Sequence, residues 1–182
     1  MLYLGIDPGR SGGWGLLSDL GVILGSGPLS VDSPRELFDL FTGLVDFAGQ
    51  SFPVEQLSAL LERVHSLPSQ GHVGAFTFGK NVGHVEMGLA AAGISYNHVS
   101  PLKWQNAMDA RTGGDKRVSR ARAIQLFPNH GKITHAIADA LLIAEYHRRT
   151  RGAILPLSGG LNGKETETPR STPRPSGAAP RR

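Results

Sequence analysis

Residues 1–9 read Met1-Leu2-Tyr3-Leu4-Gly5-Ile6-Asp7-Pro8-Gly9, an apolar run that stops on an acid. Residues 2–7 have the apolarity of a buried strand, and Pro8 and Gly9 end it and turn the chain. Asp7 thus stands at the strand's C-terminal end, where open α/β sheets present ligands. An ordinary Asp-Pro-Gly turn is the competing reading of those residues. Downstream, residues 12–18 and 21–27 read as two more strands, joined through Ser18-Asp19-Leu20-Gly21 as a hairpin.

The remainder alternates. Ser33 can cap a helix, Pro34 suits its first position and Glu36 completes a capping box. Leu37, Phe41, Leu44, Val45 and Ala48 then recur at helical spacing, so 34–48 is an amphipathic helix. Residues 57–64 read as a short buried strand carrying one acid, and a glycine-rich loop follows from His65 to about Gly74. Then come a helix over 75–92, a strand over 95–99 and a short helix from Ser100-Pro101 through Met108. A basic helix over 115–127 stops at Pro128, and a last helix spans Thr134 to Arg149. Three antiparallel strands followed by α/β crossovers predict an α/β fold, a mixed five-stranded sheet flanked by helices. Residues 1–155 are expected to form one domain. Residues 156–182 hold five prolines, four glycines and almost nothing apolar, so a disordered tail is expected there.

Composition narrows the chemistry. The 182 residues contain no cysteine, which excludes disulfides, zinc–thiolate sites and cysteine nucleophiles. No apolar run is long enough to span a membrane. The N-terminus lacks the features of a signal peptide, so a cytoplasmic protein is expected. The net charge of +4 suits a polyanionic partner. The positive charge gathers in two places: Arg111, Lys116, Arg117, Arg120 and Arg122 around Asp115, and His147-Arg148-Arg149-Thr150-Arg151. Solvated helix faces are the plain alternative for both.

Two further acids stand out. Glu62 lies in an otherwise apolar strand, where a carboxylate is costly unless paired or bound to a cation. The alternative is an edge position beside an arginine. Asp139 lies in Ala136-Ile137-Ala138-Asp139-Ala140-Leu141-Leu142-Ile143-Ala144, a helix apolar nearly all round. The alternative there is a hydrogen-bonded structural acid. His135 precedes Asp139 by four residues on the same helical face. Three acids from two strand ends and one helix make a hard-oxygen donor set suited to Mg²⁺, or to Mn²⁺ in its place.

Leu4-Gly5-Ile6-Asp7-Pro8-Gly9, Leu60-Leu61-Glu62-Arg63-Val64 and Ala138-Asp139-Ala140-Leu141 together resemble the RuvC family of Holliday junction resolvases. The similarity runs in order over about residues 1–150. Phe76-Thr77-Phe78-Gly79-Lys80-Asn81-Val82-Gly83 and Val99-Ser100-Pro101-Leu102-Lys103-Trp104 look like its phage-type and chloroplast branch. The resemblance implies an RNase H-like fold, a homodimer, two Mg²⁺ ions, and paired symmetric nicks in four-way DNA junctions. By position it makes Asp7, Glu62 and Asp139 metal ligands. It makes Lys80, Lys103 and Lys116 contacts to DNA, and Arg117 and Arg120 lie in the same basic helix as Lys116.

Two departures bear on that site. Relatives carry a fourth acid three or five residues before the last one, where this chain has Ala136 and Thr134. His135 falls between and is the candidate to replace that acid, as metal ligand or base. His65 stands where bacterial relatives often have an aromatic. His65, Phe76 and Phe78 are candidates to stack on unpaired bases, with helix packing as the alternative for the phenylalanines. Three other functions stay open: an actin-like phosphotransferase, for which the chain is short, a junction-binding protein that does not cleave, and a nuclease for other branched DNA.

Overall fold

The computed structural model describes residues 1–50, 56–63, 71–111 and 113–150. The end of the 57–64 strand, His65, the domain limit at 155 and the proline-rich tail lie outside the described residues. The elements are β1 (Leu2–Ile6), β2 (Gly13–Ser18), β3 (Ile23–Pro28), α1 (Pro34–Gly49), β4 (Leu57–Glu62), α2 (Gly71–Ala91), β5 (Ser95–Val99), α3 (Pro101–Ala107), α4 (Lys116–Leu126) and α5 (His135–Arg149). They form one five-stranded sheet in the order β3-β2-β1-β4-β5. β1, β2 and β3 are antiparallel, and β4 and β5 run parallel to β1. This is the expected mixed sheet with helices on its faces.

The period-two alternation of β1 divides the core. Leu2, Leu4 and Ile6 enter one apolar cluster with Leu37 and Phe41 of α1 and Val85 and Leu89 of α2. On the other face Leu17 and Leu60 pack with Trp104, Ile137, Leu141 and Ala144. Each fully buried leucine or phenylalanine contributes about 1.5–3 kcal/mol.

Glycines set how close α5 comes to the sheet. A Cβ on Gly5 would collide with the backbone of Ala140 and Ala144, and one on Gly13 with the carbonyl of Ala136. Ala136, Ala140 and Ala144 are spaced by four and lie along one face of the helix. The helix backbone therefore rests on the backbone of β1 and β2. That contact carries Asp139 up to the C-terminal end of β1.

Two local expectations change. The Ser33 hydroxyl accepts from the Glu36 N–H at 3.4 Å, but the reciprocal half of the capping box is missing, because the Ser33 N–H donates to Ser30 O. α2 also starts at Gly71 rather than at residue 75. Its first ten residues are mostly exposed, so this stretch is held by its own ladder rather than by packing. Gly71, at φ +65°, is the turn into it. Among the described residues no helix is long and apolar enough to cross a membrane.

Candidate active site

Asp7, Glu62 and Asp139 line a single cavity of about 410 Å³. Arg10, Gly12, Gln105 and Lys116 are also in its wall. The topology explains the meeting. β1 and β4 are parallel neighbours, so their C-terminal ends share one edge of the sheet. Asp7 follows β1, Glu62 ends β4, and α5 crosses over both.

Each acid is held differently. Asp7 is 8% exposed, and its Oδ1 accepts from the Gly9 N–H at 3.0 Å. Burial raises its pKa, the Asp139 charge adds to the rise, and the Gly9 bond and Lys116 oppose it. Glu62 accepts from Trp104 Nε1 at 2.8 Å. Burial and then the Asp7 charge push its carboxyl up to about 7. β4 is an interior strand, and no arginine pairs with Glu62 among the described residues, which removes the edge-strand alternative. Asp139 is raised by burial. The Ser119 hydroxyl lies beside it and favours its charged form, yet neither Ser119 Oγ nor Asp139 Oδ1 has a partner in hydrogen-bonding geometry. Lys116 offsets part of the charge on all three acids.

Three partly buried carboxyls with raised pKa values and one orphaned oxygen are short of a cation. Their hard oxygens suit a divalent ion. They do not form a closed cage: among the described residues no group of three His, Cys, Asp or Glu side chains is placed to hold a metal.

The other candidates are distributed around this centre. His135 is exposed at the start of α5, outside the cavity wall, though its charge is felt by Asp139 and Asp115. The Ala136 carbonyl lies against Gly13, and Thr134 caps α5 without a side-chain bond. Lys116 is in the wall, and Lys103 is exposed on α3. Lys80 is exposed on α2, Phe78 is half-buried and Phe76 is 75% exposed, so core packing does not account for Phe76.

The basic clusters are partly spent on the fold. Arg117 pairs with Asp115 at 2.9 Å, Arg120 donates to Ile133 O at 2.8 Å, and Arg122 donates to Met108 O at 2.8 Å. Arg148 and Arg149 both bind Glu145. Sequence reasoning did not assign roles to Arg10, Ser119 or Trp104. A tryptophan in a short helix is a usable signal, since a buried indole N–H needs an acceptor. Nothing in the sequence pairs Ser119 with Asp139.

No family model and no curated protein matches the chain. Solved structures do. A RuvC from T. thermophilus, in complex with a Holliday junction substrate, superposes with a TM-score of 0.59 at 18% identity, covering 86% of this chain and 99% of that one. A second Thermus thermophilus RuvC structure gives 0.56 at 18% identity, covering 82% and 96%. The mixed sheet and its flanking helices are therefore a RuvC-type, RNase H-like fold.

Proposed function

We propose that this chain is a divalent-metal-dependent endonuclease for branched DNA, and that its substrate is the four-way junction. The observation that carries this is the convergence of Asp7, Glu62 and Asp139 in one cavity, with Asp139 Oδ1 left without a partner. The RuvC-type fold, and the junction bound to one of the similar structures, support the choice of substrate.

In this reading Asp7, Glu62 and Asp139 hold Mg²⁺, two ions in the full site, with Mn²⁺ able to substitute. The bound metal supplies charge neutralisation at the phosphodiester and activation of the attacking water. Trp104 keeps Glu62 turned toward the cavity, and the Gly9 N–H does the same for Asp7. Lys116 and Arg10 in the wall meet the negative phosphate. His135 stands in for the missing fourth acid, orienting the water or taking its proton. A homodimer supplies the second nick. Lys80 and Lys103 meet flanking backbone, Arg117 and Arg120 do so through the N–H groups not given to Asp115 and to Ile133 O, and His65, Phe76 and Phe78 meet unpaired bases at the branch.

A non-cleaving junction binder has one observation in its favour, Ala136 at the place of the fourth acid. Cleavage of a synthetic junction beside a linear duplex, in Mg²⁺ and in Mn²⁺, separates the two. The enzyme reading expects nicks near the branch that vanish in the duplex and in Asp139→Asn. Tight binding without cutting in either metal would overturn it.

A further inference from the structure

A second, smaller cavity of about 220 Å³ lies at the C-terminal end of β4 on the α2 side of the sheet, lined by Glu62, Arg63, Val82, Glu86 and His98. Strand register accounts for it. Leu61 is opposite His98 and Glu62 opposite Val99. Val99 joins the α5-side cluster, so His98, one residue earlier, points to the α2 side. Val82 and Glu86 are one turn apart on α2 and share a face. Glu62 is the wall common to both cavities.

We propose that this cavity is a subsite for the DNA-backbone phosphate adjacent to the one that is cut, held by Arg63 and His98 with Glu86 orienting the imidazole. The proposal rests on the nuclease reading above and names how the strand is gripped beside the cut.

Size is the first argument. Pockets for drug-sized ligands run to about 300–1,000 Å³. At about 220 Å³ the cavity suits a phosphodiester group better than a nucleoside. Commitment is the second. The arginines on α4 and at the end of α5 are tied to acids or carbonyls, whereas the Arg63 guanidinium has no partner among the described residues. Its backbone is fixed, since Arg63 N–H donates to Val99 O at 2.6 Å. Preorganisation is the third. His98 Nε2 lies 2.8 Å from Glu86 Oε1, and Tyr96 meets the ring edge-on at 5.7 Å. With Nε2 committed, Nδ1 is the nitrogen left for an incoming oxygen. A protonated imidazole has a donor on each nitrogen, so one can face Glu86 and the other the phosphate. Continuity is the fourth. Because the cavities share Glu62, a strand whose cleaved phosphate lies among the acids carries its neighbouring phosphate toward Arg63.

The test uses the full chain and synthetic four-way junctions carrying a neutral methylphosphonate on either side of the cut. Binding is read by fluorescence anisotropy in Ca²⁺, and cleavage in Mg²⁺. With wild-type protein, neutralising one flanking phosphate weakens binding roughly tenfold. Arg63→Gln and His98→Gln show a similar loss on the unmodified junction and lose little more on the neutral one, while Arg63→Lys keeps most of the affinity. The slope of log affinity against log salt falls by about 0.9 in Arg63→Gln. Variants that bind like wild type with an unchanged slope would overturn the subsite. So would losses from substitution and methylphosphonate that multiply. His98→Gln, on a different strand, guards against a local distortion at Glu62. Failure of the wild type to bind or cut any branched DNA would instead overturn the nuclease reading beneath it.

Discussion

Helix α5 carries two acids six residues apart, Glu145 buried and Asp139 half-buried, and the fold treats them in opposite ways. Glu145 is 4% exposed and accepts from Arg148 at 2.7 and 2.8 Å and from Arg149 at 2.8 Å. These two guanidinium groups outweigh the desolvation and hold its pKa below the ordinary value. Asp139, at the other end, has a raised pKa and an oxygen with no partner. Burial alone therefore does not mark a functional acid. The mark is burial for which the protein supplies no complete counter-charge, so that an outside cation is left to complete it.

Substitution at the two acids breaks this contrast most directly. Asp139→Asn is expected to lower cleavage by roughly a thousandfold or more, since it removes a charged metal ligand. It is also expected to raise the stability of the metal-free protein by about 1 kcal/mol, because it relieves a buried unpaired charge. Glu145→Gln is expected to do the reverse, leaving the rate per folded molecule near wild type and costing about 1–3 kcal/mol. Junction cleavage and urea melts measure both. If both variants only destabilised the fold, the distinction between the two ends of α5 would be lost.

Gly5 lies beneath the segment between those ends. Gly5→Ala puts a methyl into the Ala140 and Ala144 backbone and is expected to cost about 3 kcal/mol or more. Because the helix moves as a unit, the surviving folded protein should also lose metal affinity. Calorimetry with Mg²⁺ on the folded fraction checks this, and unchanged affinity would show that the site does not depend on that contact.

The two ends also differ in their response to pH. Glu62, with a pKa near 7 when folded against 4.5 as an isolated group, contributes stability as a neutral carboxyl. That contribution is complete below pH 4.5 and is lost as pH rises through 7. His147, buried against Tyr3 near the other end, is lowered from 6.5 to about 4, first by burial. Its contribution is present above pH 6.5 and is lost as pH falls through 4. Each shift corresponds to about 3 kcal/mol. The two windows overlap, so metal-free stability should form a shallow plateau between pH 4.5 and 6.5, and each limb should stand out once the other is removed. Glu62→Gln should flatten the alkaline limb, and His147→Gln the acid one. Thermal melts from pH 3 to 9 read this, and loss of both limbs in one variant would contradict their separate origins.

The smallest expected effect is at Arg149. Its side chain is 43% exposed and Arg148 remains on Glu145, so Arg149→Ala should cost about 0.5 kcal/mol or less. A cost several times larger would mean that Glu145 needs both cations.

Much of this was legible in the chain itself. The apolar run into Asp7, the hairpin at Gly21 and the helical spacing of Leu37, Phe41 and Leu44 are local patterns, and local patterns carry strand and helix periods directly. The three acids were legible for the same reason, as polar interruptions in apolar stretches. The start of α2 was misread because Gly71 and Gly74 look like loop residues. The bonds that α4 makes were not legible, since Arg120 and Arg122 donate to the carbonyls of Ile133 and Met108, each more than ten residues distant.

The sequence by itself determined the element order, the two periodicities and the candidate acids, because each depends on residues a few positions apart. Only the tertiary structure decided which acids lack partners. Glu62 meets Trp104 across 42 positions, and Glu62 and Arg63 come to share a cavity with Glu86 and His98 only through the parallel pairing of β4 with β5. Charge compensation in a protein is a matter of distances of a few ångströms in space. Spacing along the chain reports such distances only within one helix or one strand.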